Sequence, residues 1–451
     1  MKRSITATFI ALYLATSVLP SSGAVTKAGA ACKSTGATSV VGNKKFTCIK
    51  SGKKLIWNKG TPVPKPSSTP AARNVDPEKS QVLPAYTEGS SFAQSELCKI
   101  NNPTAAKYDE TLSFMRPSFS VPTLGVHKAL VYFVDFPDVP FQDKQISEWK
   151  LNQVPTFEKY ISAMSYGKLE YKVDINETVF HITKSSLSYN LDTPHDAPKK
   201  PNADLGGLVK DAIAAADPSV DFSEYEFFNV VMPSTTNIGS EGAVGMDPNW
   251  LLDGKSFSRL TFGPIREYVD QPLKKIWFLH ESGHLMGLLH AFKPSSSMPV
   301  WGAMSSGVTT EPEFVSWERY ILGWISDSQN PCIDSSVARK YVLPIAPLSS
   351  GVDAKKMVTV RLNDHQVLIA EYRTANPLSK ITKEQAGVFI YTVDVKSRGD
   401  EGAMKAVGAD SQRNKLPLGT LIAGEKITYS NVTVKVMGNY SDRSDLEIEI
   451  K

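Results

Sequence analysis

Apolar positions change their period three times along this chain. Residues 25–60 hold short alternations, Lys45-Phe-Thr-Cys-Ile49 and Leu55-Ile-Trp57, which predict brief strands in a small unit. Residues 61–85 carry Pro62, Pro64, Pro66, Ser67, Ser68 and Pro70 without an apolar period, the composition of an extended linker. Beyond it, Ala129-Leu-Val-Tyr-Phe-Val-Asp135 and Phe227-Phe-Asn-Val-Val-Met232 are continuous apolar runs and predict buried strands. Leu205, Leu208, Val209, Ala212 and Ile213 recur at helical spacing, and Asp270, Gln271 and Pro272 read as a helix start. From about 338 the texture becomes short alternating runs: 340–343, 357–361, 366–371, 387–393, 425–429 and 432–436. Such spacing predicts an all-β region, sandwich-like, over 331–451, following an α/β unit over 86–330.

Composition narrows the setting. Met1-Lys2-Arg3, an apolar stretch from Ile5 to Leu19 and the small residues Ser22-Gly23-Ala24 predict an export signal over 1–24. That stretch is shorter than the roughly 20 residues needed to span a bilayer, and no later segment qualifies. A secreted chain, extracellular or held at the cell envelope, is expected, and as a monomer. Export permits disulfides, and four cysteines allow three pairings. Cys32 and Cys48 flank a hairpin-like stretch and are expected to pair, which leaves Cys98 with Cys332. Fifty basic and 46 acidic residues give a net charge of only +4, with no long basic run, so nucleic acid is not an implied partner.

The densest chemistry lies in residues 280–290, His-Glu-Ser-Gly-His-Leu-Met-Gly-Leu-Leu-His, where three of the chain's seven histidines fall. Histidines four apart on a helix share one face about 6 Å along the axis, so His280 and His284 can aim at one metal ion. Glu281, beside the first, can take a proton from an attacking water and return it to a leaving amine. A third ligand requires the helix to stop. Gly287 can adopt positive φ, end the helix and swing His290 under the metal. One catalytic zinc ion and a protein or peptide substrate are the expectation, with Glu281 as general base. The alternative is a non-catalytic surface-binding or matrix-binding protein whose zinc is structural, in which Glu281 would have no task. Cys98 as a metal-blocking thiolate is the alternative to its disulfide.

Downstream, Trp301-Gly-Ala-Met304-Ser-Ser-Gly307 is similar to the turn of metzincin proteases that places a methionine beneath the ligands, which implies that role for Met304. Met298 lies nearby in a Ser/Pro setting. Ser306 stands where some metzincins have a metal-facing tyrosine, so a tyrosine-assisted site is not expected. More broadly the chain resembles secreted bacterial metalloproteases of the immune inhibitor A family. The resemblance runs through Leu130-Val-Tyr-Phe-Val-Asp-Phe-Pro-Asp138, Tyr160-Ile-Ser-Ala-Met-Ser-Tyr-Gly-Lys168, Asp221-Phe-Ser, Trp317-Glu-Arg-Tyr-Ile-Leu-Gly-Trp324, Glu371-Tyr-Arg and Gly387-Val-Phe-Ile-Tyr-Thr-Val-Asp394, spanning roughly 125–395. It implies an α/β zincin (metzincin-like) catalytic domain with endopeptidase activity. Members often carry Asp where this chain has His290, so its ligand set is the more general metzincin one. Some members bind calcium (Ca2+), but Asp135, Asp138 and Asp221 are scattered and form no calcium loop in the sequence. The 25–60 unit is similar to short cysteine-paired modules near the N-termini of secreted actinobacterial proteins, and serves either as a cell-wall contact or as a spacer.

Overall fold

The computed structural model describes residues 27–41, 44–62, 84–104, 110–193, 198, 200–233, 235, 237–238, 242–246, 251–264, 276–290, 298, 301–304, 312–397, 401–408 and 419–451. The export signal, linker residues 63–83, the helix start at Asp270 to Pro272 and Ser306 lie outside them. The chain divides into two compact units, Met1–Leu83 and Pro84–Lys451. Its fold is mixed α/β, with several sheets and few helices.

In the first unit, strands β1 (Thr38–Val41), β3 (Lys54–Trp57) and β4 (Thr61–Pro62) all pair antiparallel with β2 (Lys44–Ser51). Phe46 and Cys48 alternate inward on β2 and are its two buried apolar side chains among the described residues. So small a core needs a staple, and the Cys32–Cys48 disulfide supplies it.

The first strands of the second unit are β5 (Gly125–Asp135), β6 (Leu169–His181), β7 (Phe227–Met232), β8 (Gly242–Gly245), the short hairpin strands β9 (Leu251–Leu252) and β10 (Lys255–Ser256), and β11 (Arg259–Pro264). β9 and β10 pair with each other, while the rest form a five-stranded sheet in the order β6-β5-β7-β11-β8. The first four run parallel, and β8 lies antiparallel to β11 at the edge. β5 reads as an unbroken apolar run because both its faces are covered. Ala129, Val131 and Phe133 pack with helices α1 (Val154–Met164) and α3 (Trp277–Leu285), while Leu130, Tyr132 and Val134 pack with α2 (Leu205–Ala216). α2 starts where Asp204 accepts a hydrogen bond from the Gly207 amide at 2.7 Å. Between α3 and the remaining strands lies the short helix α4 (Ser316–Ile321).

After residue 331 the described elements are strands, apart from turns. β12 (Cys332–Asp334), β14 (Met357–Arg361), β15 (Gln366–Arg373), β16 (Gly387–Asp394) and β17 (Met404–Ala406) make one sheet. β13 (Lys340–Ile345), β18 (Lys426–Tyr429), β19 (Val432–Asn439) and β20 (Ser444–Ile450) make the other. Val358, Leu368 and Ile390 meet Leu343, Val434 and Ile448 in one apolar layer, so the two sheets sandwich a core. The opposite face of the first sheet is apolar too. Met357, Ile369, Phe389 and Tyr391 join the cluster that holds Phe278, Trp301 and Met304. Packing is therefore continuous across residues 330–331, where a domain boundary was expected. The Cys98–Cys332 disulfide and the Ala93 amide on the Cys332 carbonyl (2.9 Å) tie the start of the unit to β12. Among the described residues no helix is long and apolar enough to cross a membrane.

Candidate metal centre

Helix α3 is buried from Phe278 to Leu285, which explains why its histidines stand apart from solvent. His280 Nδ1 lies 2.7 Å from the Ala303 carbonyl and His284 Nδ1 lies 2.9 Å from the Leu288 carbonyl. A carbonyl only accepts, so each Nδ1 carries the proton and each Nε2 turns a lone pair inward. His290 Nε2 sits 3.0 Å from that of His280 and 2.8 Å from that of His284. One proton on His290 cannot satisfy both lone pairs, whereas a cation satisfies all three. The three rings form a group able to hold a metal ion, with ligand atoms within 4.8 Å of one another. Burial lowers the pKa of His280, and burial together with the two neighbouring imidazoles holds His284 well below its ordinary value. Both effects favour the neutral ring that a metal requires.

His290 reaches this point because α3 stops. Gly287 has φ +87°, its amide donates to the His284 carbonyl (2.9 Å), and the Leu288 amide donates to the Gly283 carbonyl (2.9 Å). This pair of bonds is a Schellman ending. A Cβ on Gly287 would also come within 2.5 Å of Ser120 Oγ and 2.8 Å of Pro117 Cδ.

The contact with residues 111–123 had no counterpart in the sequence reading. The Thr111 amide donates to the Gly287 carbonyl (3.0 Å), and the Val121 amide to the Leu285 carbonyl (2.9 Å). Arg116 Nη2 donates to the Met286 carbonyl (3.1 Å) and the Val121 carbonyl (3.0 Å), and its Nη1 to Thr123 Oγ1 (3.0 Å). A guanidinium on the carbonyl of Met286, which caps α3, also suits the negative end of the helix. Nothing periodic marks this segment, so only long-range contacts reveal it. Close by, Arg259 pairs with Glu110 and lies 3.7 Å from the Phe119 ring centre.

Met304 is fully buried against α3, at Gly283. Met298 is buried in the same cluster. The Ala303 carbonyl that holds His280 is adjacent to Met304, so one turn contacts α3 at both His280 and Gly283. Glu281 is 7% exposed, and its Oε2 lies 3.3 Å from where a Cβ of Gly242 would stand. The edge strand β8 thus passes directly over Glu281, and among the described residues its outer edge carries no strand.

Beneath the turn lies a buried polar layer. Glu318 accepts from the Val315 amide at 2.9 Å, which caps α4; Val315 has no side-chain acceptor, so the cap is one-sided. Burial pushes the Glu318 carboxyl up to about 8, opposed by that hydrogen bond and reinforced by Glu371. Arg319 pairs with Glu313 at 2.6 Å, both out of solvent, and Glu371 accepts from the Ser316 amide at 2.6 Å.

The aspartates named in the sequence are engaged elsewhere. Asp138 accepts from Ser185 and Ser186, Asp221 from Ser223, and Asp135 from the Phe141 amide while facing His181. Among the described residues the histidine trio alone forms a group of three or more candidate metal ligands. No protein-family model matches this chain, and no curated protein matches it.

Proposed function

We propose that this chain is a secreted zinc-dependent endopeptidase of metzincin type, related to the immune inhibitor A family, with Glu281 as general base. The observation that carries the reading is the convergence of three imidazole Nε2 atoms beside the Glu281 carboxylate, which lies against β8 at Gly242. His280, His284 and His290 would hold zinc, which supplies a Lewis acid that activates water at neutral pH and polarises a carbonyl. The carbonyls of Ala303 and Leu288 fix the two helix imidazoles in the ligating tautomer. Glu281 takes the proton of the attacking water and delivers it to the leaving amine. An extended peptide adding to the outer edge of β8 would lie close to Glu281, whose carboxylate fits against that strand because Gly242 has no side chain. Two disulfides suit an oxidising compartment outside the cell.

The test is Glu281→Gln. Chelator-sensitive cleavage of a broad peptide library should fall at least ~100-fold, while bound metal stays near ~1 per chain. A wild-type chain that holds metal and cleaves nothing would leave a structural metal site and sink the enzyme reading.

A further inference from the structure

The N-terminal unit has a charge pattern that the metal site does not explain. Residues 27–62 contain eight lysines and no Asp, Glu or Arg. All eight lysines are exposed, and no acidic side chain lies within residues 27–62 to pair with them. Residues 84–451 carry the opposite balance, 44 acidic against 37 basic side chains. An ordinary solvated face interleaves both signs. A single sign concentrated on so small a fold is a standing repulsion, which a partner of opposite charge would relieve.

The lysines also have a layout. Lys44 and Lys45 open β2, Lys50 lies near its end, and Lys53 and Lys54 follow at the hairpin into β3. At roughly 3.3 Å per residue these two groups stand about 20 Å apart along one strand, a span for an extended chain of charges and not for a single small anion. Among the described residues 27–62 the exposed large apolar side chains are Val41 and Ile49, at 48% and 42%. Phe46 is buried and Trp57 half-buried, so no aromatic platform is offered for stacked bases or for insertion among lipids.

We infer that the N-terminal unit is an electrostatic anchor for an extended phosphodiester-type polyanion of the cell envelope, and that it tethers the rest of the chain there. This inference rests on the export reading and not on the metal chemistry.

The experiment uses the full chain and immobilised poly(glycerol phosphate) as probe. The wild type should be retained at low salt and released as salt rises, as a counter-ion-driven contact requires. Replacing Lys44, Lys45, Lys53 and Lys54 together by Gln should weaken retention at least ~10-fold. The two pair variants, Lys44→Gln with Lys45→Gln and Lys53→Gln with Lys54→Gln, should each lose part. An intact Cys32–Cys48 bridge and an unchanged melt show that folding is not the cause. Glu281→Gln should bind like the wild type, so failure of the protease reading leaves this outcome untouched. Absence of retention at low salt, retention unchanged in folded variants, or tighter binding to phosphatidylglycerol vesicles or duplex DNA overturns the proposal.

Discussion

Gly283 and Met304 occupy one another's space: a Cβ on Gly283 would overlap the Met304 sulfur and stand 3.1 Å from its Cε and 3.4 Å from Phe314 Cζ. The helix that carries His280 and His284 therefore rests on Met304 through a missing side chain. Within the histidine motif the identity of this fourth residue is dictated from below.

Gly283→Ala should destabilise the chain by about 1–3 kcal/mol, the range for overpacking a close contact. In a Met304→Ala background the same change should cost clearly less, because the sulfur is gone. A double-mutant cycle on thermal or denaturant unfolding reads the difference. Additive costs would show that the two residues are not coupled.

Gly287→Ala forces a Cβ into the left-handed region, at about 1–2 kcal/mol, and against Ser120 and Pro117. Metal affinity should fall at least ~10-fold, since the turn that delivers His290 is lost. Competition with a chromophoric chelator measures it, with His290→Ala as the reference. Wild-type affinity in Gly287→Ala would mean that His290 reaches the metal without this turn.

Arg116→Met keeps the length of the side chain and removes three hydrogen bonds, one to the Met286 carbonyl at the end of α3 and two that hold residues 121–123 beside it. Bonds from a charged donor contribute about 1.5–3 kcal/mol each at most, and they are not additive. Faster metal release into chelator is expected, with partial rescue by Arg116→Lys, which can reach only some of the three acceptors. A release rate equal to wild type would make residues 111–123 a mere neighbour of the site.

Glu318 gives stability a pH dependence. Its folded-state pKa, pushed up to about 8 by burial, lies above the ordinary 4.5, so between these values the folded chain keeps a proton that the unfolded chain has released. The contribution is fully present below about 4.5 and is lost as pH rises through about 8. Glu318→Gln keeps an oxygen for the Val315 amide and should flatten the fall in melting temperature across that window. An identical slope in the variant would assign the effect elsewhere.

Much of this arrangement is local and therefore legible. A helical period alone places His280 and His284 on one face, and a glycine at 287 is where the chain can leave the helix. A continuous apolar run reads as a strand at 227–232 and an alternating run at 357–361, where β7 and β14 lie. β6, β8 and β20 were not among the expected strands. β8 is only four residues long, too short for a period to register, whereas Leu169-Glu-Tyr-Lys-Val-Asp-Ile175 in β6 and Leu446-Glu-Ile-Glu-Ile450 in β20 do alternate as strands should.

Other features depend on residues far apart in sequence. That Thr111, Arg116 and Val121 hold the end of α3, that β8 crosses Glu281, and that one face of the β12–β17 sheet roofs the helix core are all long-range facts. Which residues could bind a metal follows from residue type and helical spacing alone, both local properties of the chain. That three imidazoles meet within 4.8 Å follows from the fold, because closing that gap needs the turn at Gly287 and a second segment packed against it.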